Sequence, residues 1–207
     1  MIKQLPLLLV MIVMLNGCAV TKGTDHKIVS MAMNMQATII ADPLFTKILT
    51  EMASSGQIDW SEGRADYIDD IHDYPSKIDW LLANYQNKGG YDKESVLLWR
   101  KWNPLSSTTA VTNTCGETTK LNKWKLKRDE FSIANTLIHE RVHSFCVVHP
   151  EGKQTRAENM CDASYVAGDL AEVIALYRAG IKERKMDKPI CPGLVKKIEE
   201  YKLLSLK

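Results

Sequence analysis

The sequence predicts a small α+β domain, and three observations carry that expectation. Its 207 residues are 45% hydrophobic and 25% charged, the composition of one folded domain; this excludes a disordered chain, a collagen and a multi-span membrane protein. Apolar residues recur at helical spacing from about Ser30 to Gly89 and again after Asp129. Between Ser95 and Arg128 the pattern changes to β-branched or alternating segments. The 27 basic and 25 acidic residues leave a formal charge of +2, a balance that recruits neither nucleic acid nor an acidic membrane surface.

The chain opens MIKQLPLLLVMIVMLNGC, one Lys followed by an apolar run of about ten residues, too short for the ~20 that span a bilayer. It reads as a secretion signal. Its ending, Leu15-Asn16-Gly17-Cys18, resembles the lipobox of bacterial lipoproteins. That resemblance implies cleavage after residue 17, acylation of Cys18, and a protein held in the cell envelope by its lipid. Ala19 in place of Asp implies the outer membrane, facing the periplasm or the surface. Residues 18–29 are polar and aperiodic and read as a tether, with one domain over 30–207. In an exported chain, Cys115, Cys146, Cys161 and Cys191 are candidates for two disulfides with three possible connectivities.

Met31, Met35, Thr38 and Ile39 predict a helix broken at Asp42-Pro43, and Leu44, Ile48, Leu49 and Met52 continue it to Ser54-Ser55-Gly56. The acidic stretch over residues 56–75 follows, and its Asp69, Asp70, His72 and Asp73 read as solvated surface. A helix from Ser76 ends at Gly89-Gly90. SVLLWRKW, TTAVTNT and TKLNKWKLKR are the predicted strands; the alternating Lys123, Lys125 and Lys127 read as protection of a sheet edge. A long helix is predicted from Asp129 to Val147, with Asp129 as N-cap and Ala134, Leu137, Ile138, Val142 and Phe145 as its stripe. Another runs from Thr155 to Arg178, opened by the capping box Thr155–Glu158 and stopped at Gly180, before a short helical finish beyond Cys191-Pro192-Gly193.

Inside the long helix stands His139-Glu140-Arg141-Val142-His143, an H-E-x-x-H pattern. Residues four apart share a helix face, so both imidazoles can reach one Zn²⁺, with Glu140 placed as general base. A catalytic zinc takes three protein ligands, and two candidates exist for the third. His149 completes H-E-x-x-H-x-x-C-x-x-H, which resembles the metzincin pattern; Glu158, with Asp162 four residues on, resembles the glutamate helix of gluzincins. His149 is preferred, because a His at one prescribed position is a rarer coincidence than a Glu–Asp pair in a charged segment.

The resemblance to zincin metallopeptidases covers roughly residues 108–178 and implies a small zincin-like domain with a long zinc-binding helix, a short mixed sheet and a C-terminal helix. It implies hydrolysis of a peptide bond by zinc-activated water, with a peptide or protein of the cell envelope as substrate. It makes Asn159-Met160-Cys161 the Met-containing turn, Tyr165 an oxyanion donor, and TTAVTNTCGETTKLN a strand that pairs with substrate backbone. The chain departs from the pattern at Cys146, where metzincins carry the Gly that ends the helix at positive φ. A disulfide from Cys146, with Cys161 the sensible partner, would hold that turn. The alternative of a different class is a non-catalytic envelope lipoprotein, a binding or assembly module with a structural metal or none.

Overall fold

The computed structural model describes residues 20–60, 71–88, 95–150 and 155–207, so the signal, Cys18 and the Asp69-Asp70 pair lie outside the described residues. The domain is α+β. Four short strands form one mixed sheet: β1 (Thr21–Lys22), β2 (Val96–Trp99), β3 (Ala110–Thr112) and β4 (Thr119–Asn122), in the order β1-β2-β4-β3. β2 and β4 are parallel, and the β1/β2 and β3/β4 pairs are antiparallel. The helices are α1 (Lys27–Ile40), α2 (Pro43–Ser54), α3 (Lys77–Lys88), α4 (Glu130–Ser144), α5 (Arg156–Asn159), α6 (Ala163–Arg178) and α7 (Pro192–Glu200). A parallel pair of two-residue strands, β5 (Glu183–Arg184) and β6 (Ser205–Leu206), closes the C-terminus.

α4 is the central element. It packs on α6 and α1 on one side and on β3 and β4 on the other. Its crossing with α6 is close because Gly168 has no side chain. A Cβ there would stand 2.8 Å from the Asn135 carbonyl oxygen and 3.1 Å from the His139 Cβ. Residues 71–88 supply the other brace: the buried Tyr85 hydroxyl donates to the Ile138 carbonyl at 2.8 Å, and its ring meets Phe45 and Phe145 edge-on at 5.5 and 5.2 Å.

Several boundaries differ from the sequence reading. The supposed tether is folded from Thr21 onward: Thr21 and Lys22 add a strand to the sheet edge, and α1 already begins at Lys27. The buried stripe of α1 is Val29, Ala32, Met33, Gln36, Ile39 and Ile40, leaving Met31 outside; the four-residue pattern chosen from sequence lies rotated about the helix axis. The last predicted strand stops at Asn122. The Asn122 side chain then accepts from the Trp124 N–H and caps a 3₁₀ turn over Lys123–Lys125, so these lysines do not line a sheet edge. The helix expected over 155–178 is two helices, because Asp162 caps a new start.

Among the described residues no single helix is long and apolar enough to cross a membrane. α1 and α2 pass that test only as a pair, bent by 67° at Ala41-Asp42. Asp42 makes the bend. Its carboxylate accepts from the Leu44 N–H at 2.9 Å as N-cap and from the Arg178 Nε and Nη2 at 2.6 and 3.0 Å. Arg178 holds the Asp42 carboxyl below its usual range. A folded-state pKa below the unfolded one means the pair stabilises the fold above the ordinary carboxylate range and ceases to do so as pH falls through the lowered value. Asp42→Asn keeps the cap and removes the charge. With Arg178 half in solvent, it is expected to cost about 1 kcal/mol or less at pH 7 and progressively less as pH falls toward the lowered value, read by urea unfolding between pH 7 and pH 3.

Candidate metal centre and its cleft

His139 and His143 project from the same face of α4, and the segment after the helix carries His149 back to them. One ligand atom from each of the three lies within 4.8 Å of the other two, a group able to hold a metal ion. The Nε2 atoms of His139 and His143 stand 3.3 Å apart. His143 Nδ1 faces the Val147 carbonyl at 2.8 Å, and His149 Nδ1 faces Asp162 Oδ2 at 2.5 Å. Both partners only accept, so both Nδ1 atoms donate, and the remaining Nε2 lone pairs are left for a metal. Burial holds His139 well below the usual histidine range, helped by the charges of His143 and His149; burial also lowers His143. Neutral imidazoles are the form that ligates.

The return of His149 depends on the turn after α4. Cys146 has φ 75°, the left-handed conformation that the metzincin glycine would adopt at this position. The Cys146 and Cys115 N–H groups both donate to the His143 carbonyl, at 3.1 and 3.0 Å. The Cys146 partner is Cys115 and not Cys161; the second disulfide joins Cys161 to Cys191. The sequence reading named Cys161 as the sensible partner, whereas the β3–β4 loop is what the fold lays against the end of α4. The second disulfide fastens the turn before α6 to the start of α7 instead.

Glu140 is buried, and its Oε2 has no hydrogen-bond partner among the described residues. Burial pushes its carboxyl up to about 7, against hydrogen bonds from the Thr112 hydroxyl and N–H and the charge of His149. Thr112 lies on β3, the sheet edge. The Asn122 N–H donates to the Thr109 carbonyl at 2.9 Å, so by antiparallel alternation Val111 bonds inward, and the backbone groups of Ala110 and Thr112 turn to the cleft. Tyr165 is at the site and only half-buried: its ring lies 4.4 Å from His139, stacks on His149 at 5.3 Å, and carries the Arg156 guanidinium 4.6 Å above it.

Glu158, the alternative third ligand, is not brought to the histidines. It is exposed at the third position of α5, where its Oε2 accepts from the Thr155 N–H and hydroxyl at 2.8 and 2.7 Å, completing the capping box. Of the Asn159-Met160-Cys161 segment, Asn159 ends α5 and Met160 and Cys161 form a turn, before α6 starts at Ala163. The residue that sequence reasoning misjudged is Asp162. Read only as part of a Glu–Asp pair, it caps α6 through Oδ1, accepting from Ser164 and Tyr165 N–H at 2.9 and 3.0 Å, while Oδ2 orients His149. Its signal was the break it makes in the apolar run before Ala163.

The triad, Glu140, Tyr165 and the β3 edge open on one cavity of about 710 Å³. Comparison with protein-family models, curated proteins and solved structures finds no match to this chain.

Proposed function

We propose that this chain is a zinc-dependent metallopeptidase carried into the cell envelope on a lipid at Cys18, with His139, His143 and His149 as ligands and Glu140 as general base. The observation that carries the reading is the orphaned, buried Glu140 Oε2 beside three converging imidazoles. The donor set fits zinc: two ligands 2.0–2.1 Å from one tetrahedral ion stand about 3.3–3.4 Å apart, and His139 and His143 are separated by 3.3 Å. Three protein ligands leave a fourth position open, as catalytic sites do. When bound, zinc supplies Lewis-acid chemistry, polarising a carbonyl and acidifying water.

The chain's own residues do the rest. Glu140 takes a proton from the attacking water at Oε2, held in place by Thr112, and returns it to the leaving amine. An ordinary carboxylate would hold that proton poorly at neutral pH; burial makes Glu140 basic enough to do so. Tyr165 supports the oxyanion that develops on the carbonyl, and the outward backbone groups of Ala110 and the Thr112 carbonyl align an extended peptide as an added strand, the Thr112 N–H being held by Glu140.

Elemental analysis of the purified protein tests the metal. The expected result is about one equivalent of zinc in the wild type and in Glu158→Ala, and a loss in His149→Ala. Asp162→Asn is expected to weaken zinc binding by roughly 10–100-fold, because His149 loses its orienting acceptor. Loss of zinc in Glu158→Ala with retention in His149→Ala would overturn the ligand set. Absence of zinc in every sample would leave a non-catalytic lipoprotein.

A further inference from the structure

The cavity beside the triad is lined on one side by cations. Arg128, Arg156 and Lys188 all face it, and among the described residues the only acid lining it is Glu140. The carboxylates that partner two of these cations sit behind them: Asp169 and Glu172 are 0% and 2% exposed. Arg156 gives Nη2 to both Asp169 oxygens at 2.7 and 2.6 Å and Nε to the Pro189 carbonyl. Lys188 Nζ lies 3.1 Å from Glu172 and 3.4 Å from Asp169. An ammonium has three protons and a guanidinium five, so both side chains keep donors beyond these bonds.

Arg128 is the telling residue. Among the described residues it has no carboxylate partner in hydrogen-bond contact. Its Nε donates to the Lys125 carbonyl, its Nη1 donates to Ser132 and Thr136, and its Nη2 is enclosed with no hydrogen-bond partner among the described residues. A buried guanidinium with an unmet donor is costly, and burial lowers its pKa accordingly. Thr136, which orients it, lies three residues before His139 on the same wall of α4, and the hydroxyls of Ser107 and Thr108 line the cavity as well.

We infer that this cavity is a carboxylate subsite, so that the enzyme selects peptides bearing an acidic group next to the bond it cleaves. The inference rests on the peptidase reading for the bond broken, and on Arg128, Arg156 and Lys188 for the charge selected. Two sources offer that chemistry: an Asp or Glu side chain within the peptide, and the free carboxylate of a chain end. An oxygen of either gives the cationic wall a negatively charged acceptor, which neutral and basic side chains cannot supply.

The test uses the full protein loaded with zinc and blocked alanine hexapeptides in which one Glu, Gln or Lys is walked through every position, with free-acid and amidated C-termini. Cleavage sites are read by mass spectrometry on the wild type. Binding is read by fluorescence anisotropy on Glu140→Gln, where turnover does not intervene. The expected result is cleavage beside Glu, and binding of the best Glu peptide roughly 10-fold or more tighter than its Gln isostere. Adding Arg128→Gln, which keeps hydrogen-bonding capacity but no charge, is expected to narrow that ratio. If the free-acid peptides prevail over both the amides and the internal Glu series, the source is the chain end.

Cleavage with no preference for a carboxylate overturns the subsite and leaves the peptidase reading intact. Preferential binding of Glu peptides without cleavage by the wild type keeps the subsite and overturns the peptidase. Because the peptide comparison is made with Arg128, Arg156 and Lys188 unchanged, it stands even if the Arg128 variant fails to fold.

Discussion

Glu140→Gln is expected to abolish peptide hydrolysis, by roughly 10³-fold or more, while zinc content and fold are unchanged. The substitution preserves shape. The amide oxygen can still accept from Thr112, and the amide nitrogen takes the place of Oε2, which makes no hydrogen bond among the described residues. What disappears is the capacity to accept a proton. A carboxyl with a pKa of about 7 in its buried site is matched to the pH at which it would work, and an amide has no corresponding protonated state. Thermal unfolding separates this loss of chemistry from loss of structure. The variant is expected to melt at or above the wild-type temperature, since it removes a buried ionisable group with an unpartnered oxygen. A variant that keeps its rate would show that Glu140 is not the base. A variant that loses its zinc would show that Glu140 matters to the metal and not to the proton.

The helix carrying Glu140 was legible in the sequence because its signals agree. Asp129 caps it, its apolar stripe has helical period, and two histidines four apart share its cleft face; the helix found over Glu130–Ser144 is the one those signals describe. Asp162 was harder to read because one carboxylate serves two purposes, and the longer helix pattern from Thr155 hid the break it causes. Thr112 and Arg128 carry no local signal. A threonine in a three-residue strand and an arginine before a helix cap become site residues only when β3 and the start of α4 are folded against the same cavity. The same is true of the disulfides. Four cysteines in the sequence leave three connectivities open. The sheet decides between them by bringing Cys115 to the end of α4.

Removing the Cys115–Cys146 disulfide is expected to cost about 3–4 kcal/mol of stability, the loop-closure value for a separation of 31 residues, and to weaken zinc binding as well. The second effect follows from position. Cys146 lies between two ligands, three residues after His143 and three before His149, and its left-handed φ of 75° sets the direction in which the chain returns. A side chain in that conformation costs about 1 kcal/mol or more that glycine would not. In the wild type, the cross-link and the bonds from Cys115 and Cys146 N–H to the His143 carbonyl hold the turn against that preference. Two double variants therefore behave differently. Cys115→Ser with Cys146→Ser loses the cross-link and keeps the unfavourable backbone, so both stability and zinc affinity fall. Cys115→Ser with Cys146→Gly also loses the cross-link, but glycine adopts the turn unaided, and zinc affinity is expected to recover relative to the serine pair. Global stability recovers less, because glycine also enlarges the unfolded ensemble. Urea unfolding and a competitive zinc titration on the two variants measure the two quantities separately. Equal zinc affinity in both would mean that the backbone at residue 146 does not govern the approach of His149, and that the disulfide acts on stability alone.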